Sequence, residues 1–439
     1  MNSRISKISI PYRYRVLVLL TSLTTLTYLD RICISIVGVR VKADLGLSNI
    51  QFGWVLASFA LAYALFEIPS GALGDRIGPR SVFIRIVLWW SLFTVLTGTV
   101  TGLAGLMIVR FLFGVGESGT YPNCMIVMSR WFPSREMGRS LTWVGIGSQI
   151  GAAIAPLIIV PIAVAYGWRV PFYVIGFIGV AWVTVCFSWF RNFPAEMRHI
   201  PVKELAFIES DRSYHSHQKV MSWNVILKHR VVWALMLMYF CCQWANYFFV
   251  AWLPIYLQEG RHFSENAMKI ITSSLFIVGI AGFIAGGFAG DLSVRKIGLR
   301  WGRRVIGMTG LGICGVLVFL AAVLPENNIA AYCLIAANGF FSFGVMVSYA
   351  VCIDVGRNNA GTVTGAMNFF GQMGAFFLAI VFGKIADVTH SFMYPVFTVA
   401  VVLFTGCLLW FTIDAEKQLK LETGNPGSKD SFLLKPGNE

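Results

Sequence analysis

Five ionisable residues stand inside otherwise apolar stretches of this chain: Asp30, Arg31, Glu67, Arg110 and Glu117. A charged side chain within a bilayer costs about 3 kcal/mol or more unless it is paired or solvated. Arginine grips a carboxylate through two parallel hydrogen bonds. A carboxylate beside it neutralises the guanidinium when ionised and frees it when protonated. Two acids and two arginines lining one cavity therefore suit proton-linked handling of a small anion. The competing reading is a set of structural ion pairs, but buried pairs add little net stability, so structure alone is a weak reason to place four charges in lipid. Glu67 precedes Pro69 near an inner helix end, and for it the structural and functional readings balance.

The elements that must carry these residues are membrane helices. Of 439 residues, 56% are hydrophobic and only 13% charged, against about 25% charged in soluble domains. A span needs about 20 apolar residues. Twelve candidates fall at 16–38, 50–74, 81–101, 104–129, 139–165, 168–190, 229–257, 268–290, 304–324, 328–354, 360–383 and 391–413. The expected fold class is all-α, a polytopic membrane protein of 12 transmembrane helices in two six-helix pseudo-repeats. The expected domains are an N-terminal bundle (1–190), a polar cytosolic linker (191–228), a C-terminal bundle (229–413) and a cytosolic tail (414–439). The start, Arg4 to Arg15 before an apolar run, superficially resembles a signal peptide. The run is too long and lacks an A-x-A site, so it reads as a short tail and a first helix.

The net charge is +14, but the basic residues lie in loops between apolar spans, which argues against nucleic acid as a partner. With the N-terminus inside, only Arg40, Lys42, Arg169, Arg261 and Lys269 fall clearly outside, while Lys384 is ambiguous and Arg31 and Arg110 lie within spans. Both termini and the linker are thus expected in the cytosol. The nine cysteines lie mostly in apolar segments and form no C-x-x-C, so neither a metal site nor a disulfide framework is indicated. No N-x-S/T sequon occurs, which favours a bacterial inner membrane over a eukaryotic surface.

Depth follows from helix rise. Asp30 lies roughly 21 Å from the cytosolic end of span one, and Arg110 roughly 9 Å from the outer end of span four. Asp30, Arg31 and Arg110 should share a level in the outer half, with Glu117 nearer the midplane. Arg110 and Glu117, two turns apart, share one face of span four. Asp30 and Arg31 cannot face the same way.

The halves carry traces of repetition. Gly71-x-x-x-Asp75-Arg76-x-Gly78-x-Arg80 follows span two, and a degraded echo, Gly287-x-x-x-Asp291 with Arg295 and Lys296, follows span eight. Gly138 precedes Gln149-x-Gly151-Ala152 by the interval that separates Gly361 from Gln372-x-Gly374-Ala375. Parallel six-span repeats characterise one large transporter class. The loop at Gly71, Asp75, Arg76, Gly78 and Arg80 resembles the signature of the major facilitator superfamily, with Ser81 where a final basic residue is usual. The likeness covers residues 12–414 and implies the major facilitator fold. The loop is expected to gate, joining helices that slide during alternating access, with Asp75 at a helix end able to pair with a base or cap a neighbour.

Tyr28-Leu-Asp30-Arg31, Arg110-x-x-x-Gly114-x-x-Glu117-x-x-x-x-Pro122, Trp131-Phe132-Pro133 and Gly365-Ala-Met-Asn368-Phe369 resemble the anion:cation symporter family. This family holds bacterial galactonate, glucarate and hexuronate carriers and animal sialic-acid and phosphate carriers. The resemblance implies that Asp30 and Glu117 are protonation sites and that Arg31 and Arg110 are partners of those acids or of substrate. It also implies that Tyr28, Tyr63 and Asn368 approach substrate. Val345 beside Gly344 departs from the tryptophan of galactonate-type carriers.

The second half supplies polar groups without charge: Gln243, Asn246, Tyr247, Ser342, Asn368 and Gln372. Such residues often only bridge helices, yet Gln243, Ser342 and Asn368 suit the hydroxyls of a polyol acid. The expected function is proton-coupled symport of a hexonate, hexarate or hexuronate by a monomer in the bilayer, with no cofactor and with Na⁺ as the other coupling ion to consider. The alternative is a drug or metabolite exporter, favoured by Gly147-x-x-x-Gly151 with Ala155-Pro156 and disfavoured by two cavity arginines. An enzyme is not expected: all six histidines lie in loops or at span ends, and neither H-E-x-x-H nor G-x-S-x-G occurs.

Overall fold

A computed structural model describes residues 10–210, 226–417 and 419. The start of the chain, the middle of the linker read at 191–228, and most of the tail read at 414–439 lie outside the described residues.

In the first half, α1 (Tyr12–Ile36) is followed by a short α2 (Gly38–Leu45), α3 (Asn49–Ile77) and α4 (Pro79–Thr97). Then come α5 (Leu103–Glu117), α6 (Thr120–Trp131), α7 (Ser134–Tyr166) and α8 (Val170–Trp189). A short α9 (Val202–Glu209) precedes α10 (Arg230–Tyr247), α11 (Glu265–Val323), α12 (Asn327–Gly356), α13 (Ala360–Thr389) and α14 (Met393–Leu409). Ten stretches are long and apolar enough to cross a membrane; α5 with α6 is one, and α10 prolonged to Gly260 is another. The 59-residue α11 is two spans joined at Gly298, and α14 adds a shorter apolar helix. The result is the twelve-span all-α architecture.

Local chemistry explains the ends. Ser48 Oγ accepts from the Gln51 amide at 3.3 Å and Gln51 Oε1 from the Ser48 amide at 2.9 Å, a capping box that starts α3. Pro79 occupies the first turn of α4, where a missing N–H costs nothing. Between α3 and α4, Gly78 has φ 84°, and Gly298 at the matching joint of α11 has φ 80°. Both sit in the left-handed region that favours glycine. The structural repeat of the signature loop is thus Ile297-Gly298-Leu299-Arg300 against Ile77-Gly78-Pro79-Arg80.

Two elements depart from the sequence reading. Residues 38–45 form α2 rather than loop, closed by Gly46 at φ 64°. The linker contains α9, whose Glu204 accepts the first amides of α1, Tyr12 at 3.1 Å and Arg13 at 3.0 Å. An acid at a helix start meets unpaired N–H groups and the positive end of the dipole.

The halves meet along α3 with α13 and α7 with α11. They seal at the face opposite the chain ends. There Lys42 pairs with Glu259 at 2.6 Å and Arg40 with Glu265 through two bonds of 2.7 and 2.9 Å. Asp387 of α13 accepts the Asn49 and Ile50 amides at the start of α3, at 3.1 and 2.8 Å. Phe52 of the first half meets Trp252 of the second edge to face, with ring centroids 6.0 Å apart. A Cβ at Gly53 would stand 2.4 Å from the Ala379 carbonyl oxygen, and one at Gly383 2.4 Å from that of Asn49, so glycine permits this close approach. Nearby, hydrogen bonds from Arg169 and then Trp168 hold the Asp44 carboxyl below its usual range. Among the described residues, every ion pair between the halves lies at this face.

Candidate functional site

Asp30, Arg31, Arg110 and Glu117 converge between α1, α4 and α5; Asp30, Arg110 and Glu117 are buried and Arg31 is largely so. Their pairing differs from a simple acid–arginine match along span four. Glu117 is bound by Arg31: Nε donates to Oε1 at 2.8 Å and a second guanidinium nitrogen donates to the same oxygen. Arg110 shares a helix face with Glu117 but forms no ion pair with it among the described residues. The Arg110 guanidinium instead lies over Phe113 at 4.3 Å and Phe59 at 5.4 Å. Its Nε, like Glu117 Oε2, is buried with no hydrogen-bond partner among the described residues. Asp30 turns the other way: Oδ1 accepts from Thr94 at 2.9 Å and Oδ2 has no partner. The 100° step between neighbouring residues on a helix explains why Asp30 reaches α4 while Arg31 reaches α5.

An aromatic cage holds Arg31. Its guanidinium carbon is 4.9 Å from the Tyr28 ring, 5.0 Å from Phe59 and 5.0 Å from Tyr63. Such contacts stabilise a cation without neutralising it. The α5 helix ends at Glu117 and resumes at Thr120 as α6, so the site acid stands at a break in an otherwise continuous span. On the opposite side, α10 passes into π-helical turns at Phe248–Trp252 and Tyr256–Gly260. Such turns often mark functional segments.

The second-half residues are less concentrated. Asn368 faces Glu67, donating Nδ2 to Oε1 at 3.4 Å. Ser342 is buried and accepts from Gln149 at 3.4 Å, a link between the halves. Gln243 is half-buried against Gly371 of α13. Sequence reasoning did not single out Thr94, Tyr121, Tyr239 or Tyr349. Tyr121 bonds Ser148, and the Tyr239 and Tyr349 hydroxyls are 2.6 Å apart. Tyrosines at helical spacing within apolar runs were the available signal, but only tertiary contacts separate them from packing aromatics. Tyr247 donates to the Leu56 carbonyl at 2.7 Å, which makes it a tie between halves.

The signature loop lies at the face that carries the chain ends. Gly71 and Gly74 admit Pro122 and Asn123 of α6: a Cβ at Gly74 would stand 1.9 Å from Asn123 Oδ1. The Arg80 amide donates to Asn192 at 2.9 Å and its guanidinium to the Phe187 carbonyl at 2.6 Å. Asp75 and Arg76 are exposed, and neither forms an ion pair among the described residues. The Gly147 and Gly151 pair has a packing explanation, since Cβ atoms there would meet the Thr21 and Thr25 carbonyls at 2.5 and 2.1 Å.

A profile of the Major Facilitator Superfamily matches residues 20–379. The chain belongs to this superfamily. Among curated relatives, the hexuronate transporter of Bacillus subtilis is 31% identical over 372 residues, covering 84% of this chain and 86% of its own. A Cupriavidus necator protein named Probable sulfoacetate transporter SauU is 28% identical over 401 residues, covering 90% and 92%. A crystal structure of a bacterial homologue of the human lysosomal transporter Spinster, inward-facing and unoccupied, superposes with a TM-score of 0.71. It is 18% identical and covers 94% of this chain and 98% of that one, a likeness of fold. The chain is thus a multi-pass membrane protein of this transporter superfamily, similar to relatives described as hexuronate and sulfoacetate transporters.

Proposed function

We propose that this protein is a proton-coupled symporter of a sugar acid working by alternating access. The observation that carries the reading is Arg110: a buried guanidinium beside an Arg31–Glu117 pair, with no carboxylate of its own. A buried charge without a partner is costly, and an incoming carboxylate supplies one in a geometry suited to the arginine fork. Glu117 and Asp30 each keep one buried carboxylate oxygen without a hydrogen-bond partner, where a proton can be carried. Protonating Glu117 would release Arg31, so that both guanidinium groups become available to the anion.

In this reading the bundles 1–190 and 229–413 rock about the α3–α13 and α7–α11 contacts. Both termini and the linker are cytosolic in a bacterial inner membrane. The seal at the opposite face then makes this the inward-facing form. Asp75 and Arg76, exposed here, would find partners when the cytosolic face closes. The hydroxyls of a polyol would meet Tyr28, Tyr63, Ser342, Asn368 and Gln243.

The test is binding and uptake by purified protein. Hexuronates and aldonates should raise its melting temperature, and proteoliposomes should accumulate them under an inward proton gradient and lose that accumulation with a protonophore. Stabilisation by lipophilic cations but by no carboxylated sugar would refute the reading. Accumulation that follows a sodium gradient at constant pH would move the coupling ion to Na⁺.

A further inference from the structure

Glu67 is the acid that the Arg31–Glu117 and Asp30–Thr94 contacts leave unexplained. It lies one turn along α3 from Tyr63, on the same face, and its side chain is almost wholly enclosed at 9% exposure. Its hydrogen-bond partner, Asn368, comes from the other half of the molecule. Around it stand Tyr63 of its own helix, Arg31 of α1 and Tyr349 of α12, all within electrostatic reach. No arginine or lysine forms an ion pair with it among the described residues.

The chemistry of this pair is one-sided. An ionised carboxylate only accepts hydrogen bonds. Asn368 gives one of its two amide N–H bonds to Glu67, which leaves its carbonyl oxygen and its second N–H to offer elsewhere. Glu67, when ionised, adds acceptors and negative charge to this pair. The arginines present only donors and positive charge. Tyr63, one turn of α3 from Glu67, has its ring 5.0 Å from the Arg31 guanidinium carbon, so one tyrosine stands between the acceptor pair and the arginines.

We propose that Glu67 and Asn368 form a donor-seeking subsite that selects monoanionic polyol acids and rejects dianions. This inference rests on the sugar-acid reading above and narrows it. A hydroxyl at the end remote from the carboxylate donates to Glu67 or to the Asn368 carbonyl. A second carboxylate or a sulfonate placed there meets the like charge of the ionised Glu67. Specificity of this kind arises from repulsion of the wrong ligand as much as from attraction of the right one. Aldonates and hexuronates pass the filter, whereas aldarates and sulfoacetate do not.

The experiment is competition for uptake of labelled galactonate into proteoliposomes, with unlabelled galactonate, glucuronate, galactarate and sulfoacetate as probes. Wild-type protein should prefer the monoacids by at least about tenfold, or about 1.4 kcal/mol. Glu67→Gln, which keeps shape and removes charge, should cut the preference to within about threefold by admitting galactarate. Glu67→Asp, which keeps the charge, should retain it, and Asn368→Asp should sharpen it. Melting temperatures verify that each variant is folded, and Glu67→Asp with Asn368→Asp decide the matter should Glu67→Gln not fold. A preference for galactarate or sulfoacetate in the wild type would overturn the proposal, as would an unchanged ratio in folded Glu67→Gln. Both outcomes leave the transport of sugar acids intact, whereas binding of none of the sugar acids by the wild type would overturn that reading as well.

Discussion

Asp387 holds the sealed face of the molecule by accepting two amides of the other half, Asn49 at 3.1 Å and Ile50 at 2.8 Å. Opening this face must break both bonds and hydrate the groups. A hydrogen bond to a charged acceptor contributes about 1.5 kcal/mol at the low end of its range. Asp387→Ala removes two, so the closed form should lose about 3 kcal/mol relative to the open form, a shift of roughly 150-fold. Asp387→Asn keeps one acceptor oxygen and should shift the equilibrium about tenfold. The ion pairs Arg40–Glu265 and Lys42–Glu259 remain in both variants, so their contribution cancels in the comparison. Only contacts made in one state move an equilibrium between two. Spin labels at Ala43 and Asn266, both exposed at this face, would report the separation by double electron–electron resonance. The long-distance population should grow in the order wild type, Asp387→Asn, Asp387→Ala. Identical distributions in all three proteins would refute the latch.

Arg110→Lys should lower uptake at least a hundredfold with little loss of folding stability, because lysine keeps the charge but not the two-pronged geometry; near-normal uptake would mean that no fork grips the substrate. Glu117→Gln should still exchange substrate across the membrane but fail to concentrate it on a proton gradient, and concentration by this variant would transfer the coupling role to Asp30. Asp75→Asn should slow turnover several-fold while leaving equilibrium affinity unchanged, since Asp75 lies in the signature loop away from the arginines; a large loss of affinity with normal turnover would contradict that placement.

Much of the fold was legible before any contact was known. Runs of about 20 apolar residues locate spans because the bilayer has no other way to accommodate a backbone. The scarcity of charge made the exceptions visible, and four of them do meet in one buried cluster. The loop at Gly71–Arg80 was legible because a tight turn between packed helices needs glycine at fixed places. Its echo at Gly287 and Asp291 falls in the matching joint, between the eighth and ninth spans, but the left-handed glycine there, Gly298, stands out only in three dimensions, although Ile-Gly-x-Arg occurs in both halves. The helices at 38–45 and 202–209 were missed because short polar helices owe their stability to tertiary partners rather than to a periodic apolar face.

The sequence by itself determined which residues are charged within the membrane and roughly how deep they lie, since composition and helix rise are local properties. Partnership was decided only in three dimensions. The spacing of Arg110 and Glu117 put them on one face, yet the carboxylate bonds Arg31 of another helix, and Arg110 is left among Phe59 and Phe113. A side chain's choice among acceptors depends on where neighbouring helices bring competing groups, and helix crossings depend on residues such as Gly53, Gly147, Gly151 and Gly383 that let backbones touch. The same is true of Glu67. Pro69 lies two residues on in the chain, but the acid's partner in the fold is Asn368, a meeting across the halves that no local pattern announces.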